Sequence, residues 1–391
     1  MDSIRTGIIG IGNMGSAHLH CIASGKVKGM SITAVCDIDG QKLGSVRGEF
    51  SNIALYNDWR SMLKDDNVDA VIIAVPHPHH AEIAAKALKA GKHVLVEKPV
   101  DITVSAAESL NSTALSSGKV FGIMFNQRTN GLYRRAREIV KNGELGNIKR
   151  SVWIVTNWYR TQSYYDSGAW RATWRGEGGG VLLNQAPHNL DLWQWICGMP
   201  SAVTAFCSTA KYHNIEVEDE ASIYTEYPNG ATGVFITSTG DSPGTNRLEI
   251  SGTLGKIVLE DGVLKHWRLK ENERDVCASS KEGFCSIPFE YEEYKTDEET
   301  AHRGILQNFA DAVLNGAELI APGYDGIKEL TISNAAYLSE WKGNTRVSLP
   351  FDSAEFDKLL NEKIMSSSYV PDTKTSSPEN SDYLKRWQVR W

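Results

Sequence analysis

Residues Thr6–Gly15, TGIIGIGNMG, decide the fold. The apolar run Thr6–Ile9 breaks into a loop holding Gly10, Gly12 and Gly15, with Asn13 and Met14 between them, and Ala17–Ile22 then continues as a helix. Strand, glycine loop and helix in this order form a dinucleotide-binding turn. The first glycine permits the turn, the second lets a pyrophosphate approach the backbone, and the third lets helix and strand pack, while the helix N-terminus receives the negative charge. A second strand, Ile32–Cys36, runs into Asp37, 22 residues beyond Gly15. That is where such a fold needs a carboxylate for the ribose hydroxyls. Asp37 and Asp39 repel a 2′-phosphate and no arginine stands immediately beside them, so NAD is favoured over NADP; Lys42 is the nearby charge that points the other way.

Working outward, helical Trp59–Leu63, the strand Val68–Val75, a helix over Ala81–Ala90, the strand His93–Val96 and a last strand Phe121–Phe125 follow. Alternating strands and helices build a parallel, doubly wound sheet whose ligand lies beyond the carboxyl ends of the strands. Two loops reach that edge. Pro76–His80, PHPHH, brings Pro76, His77 and His80 there; without a carboxylate or cysteine set these histidines point to loop turns and cofactor contacts, and no metal is expected. Glu97-Lys98-Pro99 follows the apolar strand HVLV, which aims Lys98 into the crevice. Two readings stand at Lys98: a surface pair with Glu97, or a charge that binds the reacting oxygen and eases loss of its proton.

The pattern changes after residue 125. Asn126, Gln127 and Arg128 lead into a helix over Leu132–Asn142, and from Gly143 onward extended apolar stretches recur with turn signals between them. Tyr227-Pro-Asn-Gly230 separates SIYTEY from TGVFITS, and Asp261-Gly262 separates KIVLE from VLKHWRL. Asn-Gly and Asp-Gly are preferred hairpin turns, so this half holds an antiparallel sheet. Helical runs over Ala301–Asn315 and Ile327–Trp341 and a short extended Val347–Leu349 close it. From about Ser366 to Asp382 the chain lacks periodic apolar residues, and a flexible or surface-draped tail is expected. Tyr383, Trp387 and Trp391 are odd for such an end and are candidates to dock on a neighbouring subunit or near an active-site mouth.

Two stretches of this half carry chemistry. Trp158, Tyr159, Tyr164, Tyr165, Trp170 and Trp174 cluster with Arg160, Arg171 and Arg175 interleaved. Aromatic rings offer flat faces to the C–H side of a pyranose while arginine and asparagine address its hydroxyls; part of the cluster is expected to fill core or an interface instead. The second stretch is Gly178–Trp195, GGGVLLNQAPHNLDLWQW, in which Pro187 suits a helix's first turn and Gly198 its end. His188 then lies in that first turn, where the positive helix end disfavours imidazolium. It is either a neutral proton acceptor near pH 7 or a residue that only caps its helix. Asp191, one turn on, either orients the imidazole or is a solvated helix residue.

Bulk properties narrow the classes. The 391 residues suffice for two cores, and 41 basic against 48 acidic residues give a net charge of −7 with no basic run for nucleic acid or anionic lipid. Six scattered cysteines without a Cys-x-x-Cys pair read as reduced thiols in a cytosolic protein. The longest apolar run, Ala70–Val75, is too short to span a bilayer, and no export signal or anchor is expected.

Together the GIIGIGNMG opening, Asp37, the segment VDAVIIAVPHPHHAEIAAKALKAGKHVLVEKP and the GGG...H-x-x-D stretch resemble the glucose-fructose oxidoreductase, inositol dehydrogenase and rhizopine catabolism family of NAD(P)-dependent sugar and cyclitol dehydrogenases, over most of residues 4–350. Trp170-Arg-Ala-Thr-Trp174 with GEGGGVLLNQAPHNLDLWQW resembles members that oxidise glycosides or anhydrosugars at the pyranose C3 hydroxyl. The resemblance implies an α/β architecture: a Rossmann doubly wound sheet over 1–125, a substrate-binding α+β domain with a large open, mainly antiparallel sheet over 126–350, and a partly flexible extension over 351–391. It also implies a homodimer or homotetramer through the open sheet. Lys98 and His188 would be catalytic. Gly10, Gly12, Asn13, Met14, Gly15, Asp37, Pro76, His77, His80, Glu97 and Lys98 would hold the cofactor, and Arg128, Trp158, Tyr159, Trp170, Trp174, Asn184 and His188 the substrate. Many relatives carry aspartate four residues before the histidine, whereas Asn184 stands here; an asparagine orients a hydroxyl but cannot exchange a proton. The implied reaction is oxidation of a secondary hydroxyl of a sugar or glycoside by hydride transfer to NAD. The same residues would serve a cyclitol dehydrogenase, or a glycosidase that retains NAD and works by transient oxidation and elimination; a nucleotide sensor without catalysis would lack the paired acid–base groups.

Overall fold

Ala70–Ile73 has no exposed side chain, as a strand covered on both faces requires. It sits inside the first of two sheets in the computed structural model, which describes residues 3–297 and 300–370. Strands β1 (Ile4–Ile9), β2 (Met30–Cys36), β3 (Ala54–Tyr56), β4 (Ala70–Ile73), β5 (His93–Val96) and β6 (Phe121–Ile123) form a parallel sheet in the order β3-β2-β1-β4-β5-β6. The order reverses between β1 and β4. A crevice opens at that switch point beyond the strand ends, and the glycine loop and the loop after β4 both border it.

The second sheet has nine strands: β7 (Ile148–Val155), β8 (Ala202–Thr209), β9 (Glu218–Glu226), β10 (Thr232–Ser238), β11 (Asn246–Gly252), β12 (Gly255–Glu260), β13 (Val263–Leu269), β14 (Phe289–Tyr294) and β15 (Val347–Ser348). Their order is β14-β13-β12-β11-β7-β10-β9-β8-β15, and every pairing is antiparallel except β7 with β10. Both expected hairpins form: Tyr227 N–H donates to Ala231 O, and Asp261 and Gly262 both have positive φ, 51° and 71°. The helices Pro187–Cys197 and Gly326–Trp341 lie on one face, where Trp193 stacks on Phe235 at 5.5 Å between centroids. The opposite face is open and exposes Phe206 and Tyr224.

Residue 351 opens onto order: the helix Ser353–Ser366 buries Phe356 and Leu360 and bonds through Asp357 to Ser105 Oγ at 2.6 Å. Beyond the helix, the amides of Ser368 and Tyr369 donate to Glu216. The rest of the expected tail, with Tyr383, Trp387 and Trp391, lies outside the described residues. No helix among the described residues is long and apolar enough to cross a membrane.

Candidate active site

The glycine loop has the shape its spacing implies. Gly10 has φ 94°, and a Cβ there would lie 2.5 Å from Ala74 O; at Gly15 a Cβ would lie 1.8 Å from Gly10 O, so the third glycine is what lets helix and loop touch. Gly12 has nothing within 4 Å of its Cβ position and faces the cavity. The helix Asn13–Ala23 begins there with no side-chain cap and no acid in its first turn, leaving N–H groups for an anion. Asp37 closes the other end: Oδ2 accepts from Ile11 N at 2.7 Å, Oδ1 from Asp39 N at 2.9 Å, and Lys42 Nζ lies 3.7 Å away. A dinucleotide fits this cradle, with Asp37 as acceptor for ribose hydroxyls. The cradle is one end of a cavity of about 1360 Å³, larger than a single drug-sized ligand needs.

Lys98 and Glu97 do not form a surface pair. Glu97 is buried and turns to His18, Oε1 to Nε2 at 2.7 Å; burial pushes its carboxyl up, but His18, His302 and Lys98 outweigh this and hold it below the usual range. Lys98 donates from Nζ to Asn184 O at 2.6 Å. Burial lowers the proton affinity of its amine, opposed by Glu97, Tyr164, Glu329 and Glu177. His80 staples the neighbouring loops, with Nδ1 at 2.7 Å from Pro99 O and Nε2 at 2.7 Å from Val75 O. His77 Nδ1 lies 3.2 Å from Glu177 O, which ties the cofactor loop to the glycine triplet.

His188 opens on the same cavity. It does not cap its helix: the cap position is Ala186, and the buried His188 Nδ1 makes no hydrogen bond among the described residues. Burial, reinforced by the charge of Lys98, lowers the imidazole well below its ordinary range, so the ring is neutral at pH 7. Trp158, Trp170 and Asn184 line the cavity, as do Gly10, Gly12, Asn13, Met14, Asp37, Pro76, His77, His80, Glu97 and Lys98; Gly15 sits behind the loop.

Three substrate expectations and one orienting role are corrected. Arg128 is 1% exposed and forms a buried two-pronged pair with Asp191, 2.6 and 2.8 Å, plus a bond to Asp325 at 2.7 Å. A guanidinium taken from water needs such partners, and this one has them beneath the site rather than in it. Asp191 is therefore committed to Arg128 and Gln194 and neither orients His188 nor meets solvent. Trp174 packs edge-on against Tyr337 and Trp341, each 5.6 Å away, filling an aromatic layer instead of facing substrate. Tyr159 is half exposed and stands outside the cavity lining.

The cavity also holds residues that sequence reasoning missed. Exposed Ile38 and Trp59 with Arg60 stacked 4.1 Å above its ring border the Asp37 end. His302, from the start of the helix Ala301–Asn315, reaches the opposite end, where burial pushes it down to about 3. Glu177 stands outside the lining, behind Asn184: one oxygen accepts from Ala172 N at 2.7 Å and the other from the side-chain amide of Asn184. Burial raises its carboxyl, opposed by Arg171, these two donors and Lys98. Its signal was an acid inside an otherwise small and apolar stretch, GEGGGVLL.

Residues 4–125 match the family described as "Oxidoreductase family, NAD-binding Rossmann fold", and residues 133–258 match the "GFO/IDH/MocA C-terminal domain". The scyllo-inositol 2-dehydrogenase (NAD(+)) of Bacillus subtilis (strain 168) is 25% identical over 340 residues, 85% of this chain and 93% of that protein. The levoglucosan dehydrogenase of Pseudarthrobacter phenanthrenivorans is 26% identical over 291 residues, covering 66% and 74%. Among solved structures, the WlbA dehydrogenase of Bordetella pertussis in complex with NADH and UDP-GlcNAcA superposes with a TM-score of 0.76 at 23% identity, covering 90% of this chain and 99% of that one. At that identity the likeness is one of fold.

Proposed function

Since the chain belongs to the GFO/IDH/MocA oxidoreductase family, we propose that it oxidises a secondary hydroxyl of a sugar or glycoside, at pyranose C3, to the ketone, with NAD rather than NADP as the physiological acceptor. The observation that carries this reading is one cavity bordered by the glycine loop, Asp37, Lys98 and His188. When bound, NAD supplies the hydride acceptor. His188, neutral and facing the cavity, takes the hydroxyl proton; Lys98, anchored on Asn184 O, holds its charge against the oxygen as negative charge develops there. Trp158 and Trp170 give the sugar ring apolar faces, and Asn184 addresses a hydroxyl. Preference for NAD is supported by Asp37 at the ribose position with Lys42 drawn to it. Pairing of copies through the open sheet face is supported by exposed Phe206 and Tyr224.

A cyclitol substrate is a second reading, favoured by the likeness to scyllo-inositol 2-dehydrogenase across 85% of the chain. One assay separates these readings from each other and from an NAD-retaining eliminase. The protein is given NAD or NADP with a panel of free sugars, glycosides and cyclitols, NADH or NADPH absorbance is followed, and the ketone is identified. Net NADH with a 3-keto pyranose is the expected result; a keto-inositol selects the second reading, and cleaved glycoside without net NADH selects elimination. Lys98→Met should abolish turnover and leave NAD affinity nearly intact. Turnover at the parent rate in that variant would remove Lys98 from the mechanism.

A further inference from the structure

A side-chain amide has two nearly isosteric ends, one donating and one accepting, and its neighbours decide which end faces a ligand. At Asn184 the neighbour is Glu177. Its carboxylate accepts the Asn184 amide on Oε1 and the Ala172 N–H on Oε2, at 2.7 Å for the latter. Lys98 does not influence the choice, because it bonds to the backbone oxygen of Asn184. An ionised carboxylate cannot donate, so the NH2 end must turn to Glu177 and the carbonyl oxygen must turn to the cavity. Both carboxylate oxygens act as acceptors, from Ala172 N–H and from the Asn184 amide; burial raises the group, and these two donors with Arg171 and Lys98 oppose that rise.

Resting on the oxidation proposed above, we infer that Glu177 is a positioning residue that makes Asn184 a pure acceptor at the substrate end of the cavity. The enzyme then selects a polyol that donates a hydroxyl proton to Asn184 at a position other than the one oxidised. The same carboxylate fixes the turn that carries Trp170. Ala172 adopts φ 58°, uncommon for a residue with a Cβ, and its N–H is turned into Glu177. Apolar platform and hydroxyl acceptor are thus set by one buried acid.

The test is an exchange of carboxylate and amide. Glu177→Gln frees both amides to flip, and should raise KM for the sugar about tenfold, the size of one hydrogen bond, with NAD affinity unchanged. Asn184→Asp sets a second carboxylate against the buried Glu177 and should be worse. The double variant Glu177→Gln/Asn184→Asp restores one donor facing one acceptor, and should recover KM to within about threefold of the parent. Monodeoxyfluoro sugars supply the second readout, since fluorine is small and cannot donate. In the parent, fluorine at one non-reacting position should cost about tenfold in kcat/KM, and in Glu177→Gln that penalty should shrink to about twofold.

Urea denaturation of the four proteins reads the pairing without turnover: the double variant should be more stable than Asn184→Asp alone. Additive losses in the double variant, or an unchanged KM in Glu177→Gln, would overturn the inference. So would full tolerance of fluorine at every non-reacting position, which means the donating end faces the cavity. If the parent oxidises no polyol while the stability cycle still shows coupling, the proposed reaction falls and the pairing stands.

Discussion

Removing water from around a cation weakens its hold on a proton, and His188 and Lys98 are among the cavity residues so treated. His188 is lowered well below 6.5, first by burial and then by Lys98. A base works in its deprotonated form, so a lowered value extends the working range toward acid. We expect kcat/KM to stay level from pH 8 down to pH 6.5 and to fall only at more acidic pH; a limb centred at or above 6.5 would contradict the burial of the ring. Lys98 is lowered too, by burial against the opposing acids, so the alkaline limb should lie below 10.5. Residue type and motif made the placement of Lys98, His188 and Asp37 at the cavity legible, because each sits at a fixed offset from a strand or helix end. Arg128, Trp174 and Tyr159 were misplaced because a residue's type does not say which way it points. Arg128 and Trp174 are as polar or aromatic as a sugar site needs, yet they serve an ion pair and an aromatic layer.

At the scale of the element, the chain from Gly178 to Ala186 is a clamped loop between the two sheets. Glu218, on β9, accepts from Gly180 N at 2.9 Å and Leu182 N at 2.9 Å and takes the Tyr337 hydroxyl at 2.7 Å. Burial pushes its carboxyl up to about 7 against these donors. The glycines are there for closeness of approach: a Cβ on Gly180 would stand 1.9 Å from Glu218 O, and one on Gly179 would stand 2.2 Å from the Tyr337 hydroxyl oxygen. Gly180→Ala must move backbone, and should destabilise the protein by about 2–4 kcal/mol in urea while lowering kcat more than NAD affinity. An alanine variant with parent stability and kcat would show that the loop is not clamped. The sequence displayed the triplet without its reason, since Glu218 and Tyr337 approach from 38 and more residues away.

Across the whole molecule, residues 367–369 bond to the segment that carries Tyr164. Glu216 accepts from Ser367 Oγ and from the amides of Ser368 and Tyr369 at 3.1 and 3.0 Å, and the Tyr369 hydroxyl meets Asp166 at 3.1 Å. Asp166 ends the short helix Gln162–Asp166, which brings Tyr164 to the cavity wall. Ending the chain at Ser366 should therefore raise KM for the sugar several-fold without changing NAD affinity, with assembly followed by light scattering; unchanged KM and unchanged assembly would sink that role. The sequence by itself determined the two sheets, the glycine cradle, the two hairpins and the residues most exposed to chemistry. These depend on spacing of two to four residues, on turn preferences and on strand ends, all of which are local. Only the tertiary structure decided that Lys98 and His188 share one cavity, that Arg128 belongs to Asp191, and that Glu177 faces Asn184. Those pairings are made where separate segments bury charge together, and the free energy of a buried charge depends on whatever partner the fold brings to it.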